Sequence, residues 1–201
     1  KPDLVVMTMM SQSMDIKTQL NAVGIPVIVT NASSIEQVYE AISLLGKATS
    51  RDEKAEEIIS NMKESFDALS KKSEAVSKKE SIYFEVSPLE YGLWSTGKGT
   101  FMDEIANICG LNNVFNDIEG WKEVSQEQVL ERNPDNIVTI TMYFGEGPTP
   151  VEEILAREAW SNVTAVKNNK IFSIDGDLLS RPSPRLVEGA QELFNLVYKI
   201  N

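Results

Sequence analysis

Four stretches of the sequence hold residues able to do chemistry, and each also has an ordinary structural use. The loop "GLWSTGKGT" sets Gly92, Gly97 and Lys98 at the spacing of a phosphate-cradling loop. Gly99 stands where such a loop needs a magnesium-binding hydroxyl, so nucleotide hydrolysis is set aside. The glycines are then expected to serve a loop at a cleft mouth, with Trp94 offering a flat apolar face. The stretch "EGWKEVSQEQVLERNPD" holds Trp121, a core anchor or the wall of a ligand pocket, with composition alone favouring the core. It also holds Glu127, a charge suited to the first turn of a helix. In "GDLLSRPSPRL", Arg181 and Arg185 form the only concentrated positive charge in the second half of the chain. A guanidinium fork there suits carboxylate, phosphate or catecholate groups, unless the two arginines are tied to Asp175 and Asp177. Finally, "VVMTMMSQSM" places Met7 in a strand as core filling and lets Met9 or Met10 reach a cleft as a soft, adaptable thioether.

Other chemistry is excluded by composition. The 201 residues contain no histidine and one cysteine, Cys109, so neither a Ser-His-Asp nor a Cys-His arrangement is available, and no internal disulfide. Cys109 is expected to face inward on an apolar helix, inert. The carboxylates Glu85, Glu90, Asp103 and Glu104 follow no catalytic pattern. Lys and Arg number 19 against 30 Asp and Glu, a net charge of −11, and the cations are scattered, which argues against nucleic acid. No apolar run reaches the length of a membrane span.

The elements that must position these residues alternate between strand and helix. Leu4 to Met7 is a continuous apolar run, read as a parallel strand covered on both faces. A helix over 13–23 and the strand "GIPVIVT" complete a βαβ unit. A further helix is capped by Ser33 or Ser34 and ends at Gly46. Over 51–79, Ala55, Ile58, Ile59, Met62, Phe66, Leu69 and Val76 step by three or four, predicting one amphipathic helix about 40 Å long. Such a rod joins two lobes or forms a coiled-coil arm. A second α/β series follows: strand "SIYFEV", helix 101–109, helix 126–132, strand "NIVTI", helix 151–156, strand "KIFSI" and a last helix over 184–199. A Pro-Asp step followed by an apolar strand, a helix and a second strand occurs at 1–45 and again at 133–199, which implies two related lobes. Parallel strands bind ligands beyond their carboxyl ends, so facing lobes make a cleft.

The phrases "KPDLVV", "GIPVIVTNASSIEQV", "SIYFEV", "STGKGTFMDEIANICGLNNVF", "WKEVSQEQVLERNPDNIV" and "SRPSPRLVEGAQEL" occur in one order across nearly the whole chain. In that order the chain resembles the class III substrate-binding proteins of bacterial ABC importers, the group that carries vitamin B12, ferric siderophores and haem. The resemblance implies an α/β fold of two Rossmann-like lobes joined by one long helix. Residues 1–50 would be the remnant of an incomplete N-terminal lobe, 51–79 the spine and 80–201 the C-terminal lobe. A signal sequence and the rest of the first lobe would lie outside this chain.

The resemblance also implies roles. Trp121 coincides with a tryptophan that packs on the corrinoid in the vitamin B12-binding member, which reverses the core reading. Glu127 matches an acidic residue presented to permease arginines. The ligand-binding residues expected are Trp121, Trp94, Met9, Tyr143, Leu178 and Arg181, with no catalytic residue, resident cofactor or metal. Thr8 stands where the B12-binding member carries a further aromatic, which counts against cobalamin itself, and the absence of histidine disfavours the usual haem ligation and the zinc- or manganese-binding relatives, so ferric siderophore, corrinoid, or haem held through Tyr or Met stay open. The expected partners are this small molecule and an ABC permease with its ATPase. Nucleic acid is not expected, and the membrane only through a lipid anchor outside the chain. The location would be extracytoplasmic, in the periplasm or lipid-anchored at the cell surface. The alternatives are a sensory or adhesive module on the same fold, and an enzyme on a related scaffold, which would need the cysteines or histidine that this chain lacks.

Overall fold

Two parallel sheets, one small and one larger, lie before and after a long helix in the chain order of the computed structural model, which describes residues 1–10 and 12–199. The small sheet pairs β1 (Val5–Thr8) with β2 (Val27–Thr30) in parallel, Val5 opposite Val27 through Thr8 opposite Thr30, and α1 (Ser13–Ala22) makes the crossover. β1 is not covered on both faces as its apolar run implies. Val5 and Met7 are half-buried while Val6 is exposed, because among the described residues this sheet has only two strands.

α2 (Ile35–Ala48) opens on a capping box, the Ser34 hydroxyl accepting from the Gln37 amide at 3.2 Å. It runs past Gly46, the expected stop. Gly46 serves packing instead, since a Cβ there would lie 2.5 Å from the Cβ of Ala55. The chain turns at Ser50, whose φ is +55°, and enters α3 (Asp52–Glu74).

α3 has 23 residues and is about 34 Å long, shorter than the 51–79 rod. The apolar spacing overran the helix: Val76 still packs against the core, but from a chain that has already left the helix. α3 buries Ala55, Met62, Phe66 and Leu69 on one stripe, and packs on α2 at one end of the chain order and on two later helices, so it is no free coiled-coil arm.

The larger sheet follows. The elements after α3 are β3 (Ser81–Glu85), β4 (Trp94–Thr96), α4 (Phe101–Ile108), β5 (Asn112–Asn113), β6 (Trp121–Glu123), α5 (Gln126–Arg132), β7 (Asn136–Thr139), α6 (Pro150–Leu155), α7 (Thr164–Lys167), β8 (Ile171–Ser173), α8 (Gly176–Leu179) and α9 (Leu186–Tyr198). The strand order is β5-β3-β7-β8, all parallel, and every residue of β7 is buried. Helices cover both faces and divide the core in two. One layer, with Met62, Phe66, Phe84, Ile105 and Leu193, continues to Val38 of α2; the other gathers Tyr83, Phe115, Val129, Ile137 and Trp160.

β4 and β6 form a separate antiparallel ribbon, Trp94 opposite Glu123 and Thr96 opposite Trp121, where a loop was expected for Trp94. Gly97 explains the ribbon's tight end: a Cβ there would fall 2.3 Å from the Ile118 carbonyl. Its amide and that of Lys98 donate to the Gly120 and Ile118 carbonyls, at 2.9 and 2.8 Å, which leaves no phosphate cradle.

Candidate functional site

The carboxyl ends of β1 and β2 face the start of α4, the end of β6 nearest it, and the segment after α8 across a cavity of about 530 Å³. Thr8, Met9 and the run Thr30 to Ser33 form one wall; Phe101, Trp121, Ser180, Arg181 and Pro182 form the other. Parallel strands direct their carboxyl ends to such a crevice, because the crossover helices occupy the sheet faces.

Each wall residue is held by a local device. Met9 donates its amide to the Thr30 carbonyl at 2.8 Å, extending the β1–β2 pairing to the cavity edge, and its side chain stays 43% exposed. Phe101 is the first residue of α4, which Thr100 caps by accepting from the Asp103 amide at 3.2 Å. The Thr100 hydroxyl also donates to the Gly97 carbonyl at 2.7 Å, locking α4 to the ribbon that carries Trp121. The Trp121 ring meets Phe101 edge to face, centroids 5.9 Å apart at 64°, so the half-buried indole is braced from behind with the cavity in front.

Arg181 joins this wall but is not free. Its Nε donates to Asp177 Oδ1 at 2.5 Å, with the guanidinium side chain still 68% exposed. Arg185 pairs with Glu188 at 3.4 Å, and Asp175 accepts from the Asp177 amide at the start of α8, so the arginine–aspartate tie holds for Arg181 alone. Ser180 and Arg181 also border a second recess of about 340 Å³, whose apolar lining includes Tyr91, Ile140, Met142 and Phe144.

Three of the six expected ligand residues line the main cavity: Trp121, Met9 and Arg181. Leu178 does not. It is 7% exposed and belongs to the core, because α8 presses on Gly189 of α9, where a Cβ would lie 2.6 Å from the Leu178 carbonyl. That seats Leu178 inward and gives its place at the cavity to Ser180. Tyr143 also turns away, its hydroxyl donating to the Gly147 carbonyl of its own loop at 3.2 Å, while its neighbours Met142 and Phe144 face the second recess. Trp94 is 40% exposed on β4, opposite Glu123, and lines neither cavity. Asn31, Ser33, Phe101 and Ser180 were not anticipated. The run "NASS" directly after β2 was the available signal, since it follows a parallel strand.

Glu127 stands apart, exposed in the first turn of α5 beside a recess lined by Leu89, Leu93, Glu123 and Val124. Hydrogen bonds from its own amide and the Ser125 hydroxyl hold its carboxyl below the ordinary glutamate value, so it presents a negative charge at neutral pH. Cys109 is fully buried, and burial pushes its thiol up to about 12. No helix among the described residues is long and apolar enough to cross a membrane.

Known proteins share this architecture. An ABC transporter substrate-binding lipoprotein of Bacillus subtilis (strain 168), YvrC, named as uncharacterized, is 37% identical over 203 residues, which are 98% of this chain and 62% of that one. The chain therefore spans less than two thirds of that relative. The vitamin B12-binding protein of Salmonella choleraesuis (strain SC-B67) is 30% identical over 204 residues, covering all of this chain and 71% of its own. A solved structure from Staphylococcus epidermidis, described as a possible iron-binding (periplasmic solute-binding) protein, superposes with a TM-score of 0.84 at 30% identity over 98% of this chain and 76% of that one. The profile described as periplasmic binding protein matches residues 1–178, and with the cleft between two parallel sheets in view, the chain belongs to the periplasmic binding protein family.

Proposed function

We propose that this chain is the ligand-gripping part of an extracytoplasmic substrate-binding protein that captures an iron complex (ferric siderophore or haem) or a corrinoid and delivers it to an ABC importer. The observation that carries the reading is the 530 Å³ cavity walled by strand ends on one side and the braced Phe101–Trp121 pair on the other. Its lining offers hydroxyls, an amide, a thioether, two aromatic rings and one guanidinium, with no nucleophile held against a base. Such a surface binds by area and shape, and it leaves the ligand unaltered. Arg181, already half-neutralised by Asp177, favours a ligand with a modest negative charge at that rim. The relatives named for vitamin B12 and for iron support both ligand classes. Glu127 serves as a docking charge for a basic permease surface, on a recess that shares no lining residue with the cavity.

Ligand titration of the full-length protein tests this. Haemin, cyanocobalamin and a panel of ferric siderophores are followed by tryptophan quenching, for wild type and Trp121→Ala. One ligand class is expected to saturate, and the variant to bind it about tenfold more weakly, or 1.4 kcal/mol, with an unchanged circular-dichroism spectrum. Saturation by none of the panel overturns the reading, and equal affinity in the variant removes Trp121 from the site.

A further inference from the structure

α2 and α4 begin side by side across the boundary between the two sheets, and each accepts the other's first amide. The Ile35 N–H, at the first position of α2, donates to Glu104 Oε2 at 2.7 Å across 69 residues of chain. The Phe101 N–H, at the first position of α4, donates back to the Ser33 carbonyl at 2.6 Å. First-turn amides have no acceptor inside their own helix. Ser34 and Thr100 satisfy the third-position amides at 3.2 Å each, which leaves the first-position amides to be met from across the boundary. A carboxylate at a helix start also meets the positive end of the macrodipole, and a charge-assisted bond is roughly twice as strong as a neutral one.

This crossed pair reaches both cavity walls, through Ser33 and Phe101. Ser33 and Phe101 both line the cavity, and Phe101 is the ring that braces Trp121. α3 and the shared core layer already hold α2 to the larger sheet, so the crossed pair is a second attachment, next to the cavity. Two separated attachments fix an angle where one allows rotation.

We infer that Glu104 is a positioning residue of the cavity: its carboxylate, together with the Phe101 amide, fastens the segment after β2 to α4 and sets the gap between Asn31–Ser33 and Trp121 before a ligand arrives. Its value for binding rests on the ligand-capture reading above, because a preformed gap lowers the ordering cost of association. The fastening itself does not depend on any ligand.

The test is therefore ligand-free. Amide hydrogen exchange is read at Ile35, Phe101 and Val138 in the full-length protein, for wild type, Glu104→Ala and Glu104→Gln. Glu104→Ala is expected to speed exchange about tenfold at both Ile35 and Phe101 with Val138 in β7 unchanged, and Glu104→Gln, whose amide oxygen still accepts, to recover most of the protection. In parallel, spin labels at the exposed positions Gln19 and Lys122 are expected to give a broader distance distribution in Glu104→Ala than in wild type. Faster exchange at Ile35 alone, with the distance distribution unchanged, reduces Glu104 to a cap of α2 and overturns the inference. An equal rise at Val138 does so too, by revealing general destabilisation. If Glu104→Ala does not fold, Glu104→Asp, one methylene short of its acceptor position, gives the same comparison.

Discussion

The guanidinium of Arg157 grips the carboxylate of Glu85 through two hydrogen bonds, Nη1 to Oε2 at 2.7 Å and Nη2 to Oε1 at 2.9 Å, with both side chains buried. The arginine also lies over the Trp160 ring, 4.5 Å from its centroid, and bonds Glu153 at 3.0 Å. Burial pushes the Glu85 carboxyl above its ordinary value, against the pull of Arg157. Burial also opposes the Arg157 charge, but Glu85 and Glu153 outweigh it and hold the guanidinium protonated.

This pair anchors the carboxyl end of β3, and removing one member strands the other. Arg157→Met is expected to cost about 3 kcal/mol in urea unfolding, within the usual range for breaking a buried pair. The double variant Glu85→Leu with Arg157→Met should recover most of that loss, since no charge is then left buried. A single-variant cost below about 1 kcal/mol would contradict the burial described.

Gly46 tests the approach of α2 to α3. Alanine is the better helix former by about 1 kcal/mol. A Cβ 2.5 Å from that of Ala55 outweighs this, because overpacking costs about 1–3 kcal/mol. Gly46→Ala should therefore lower the melting temperature, and adding Ala55→Gly should restore it. A rise in the single variant would mean that the helices part easily.

Acid sensitivity is expected at Glu80. Burial alone would raise its carboxyl, but hydrogen bonds from Lys170 and Asn136, with the Lys170 charge, hold it below the ordinary value. Lys170 Nζ lies 2.6 and 2.7 Å from the two carboxylate oxygens. With the folded pKa below the unfolded one, the contribution is complete above the unfolded value of about 4.3 and is lost as pH falls through the folded one. Glu80→Gln should be less stable than wild type at about pH 7, with the difference shrinking towards about pH 3. Urea midpoints across that range decide it; a constant difference would exclude the linkage.

Glu127→Ala separates docking from capture. The residue is exposed and lines no part of the ligand cavity, so ligand titration and the urea midpoint should both match wild type. Uptake by cells relying on this protein should fall severalfold. Normal uptake would refute the docking role.

How far the sequence was legible follows the range of the contacts involved. α5 came out residue for residue, because Ser125 and Gln128 write its capping box within four positions. β3, β7 and β8 were legible as short apolar runs. The Glu85–Arg157 pair spans 72 residues, and neither partner carries a local sign of the other. Leu178 looked like a cleft residue beside Arg181, yet its burial is decided by Gly189 on the next helix. Trp121 was placed at the cleft only through the family resemblance. What faces it, Phe101 and the segment after β2, is set by contacts across the two sheets, which no local pattern records.

The sulfhydryl of Cys109, sealed between α4 and α9 with its sulfur 3.4 Å from the Ala190 carbonyl, gives the chain a built-in clock. A maleimide or a mixed disulfide can reach it only when those two helices part, so the rate of its modification counts openings of that layer. While the fold holds, oxidising surroundings have no other thiol in this chain to attack.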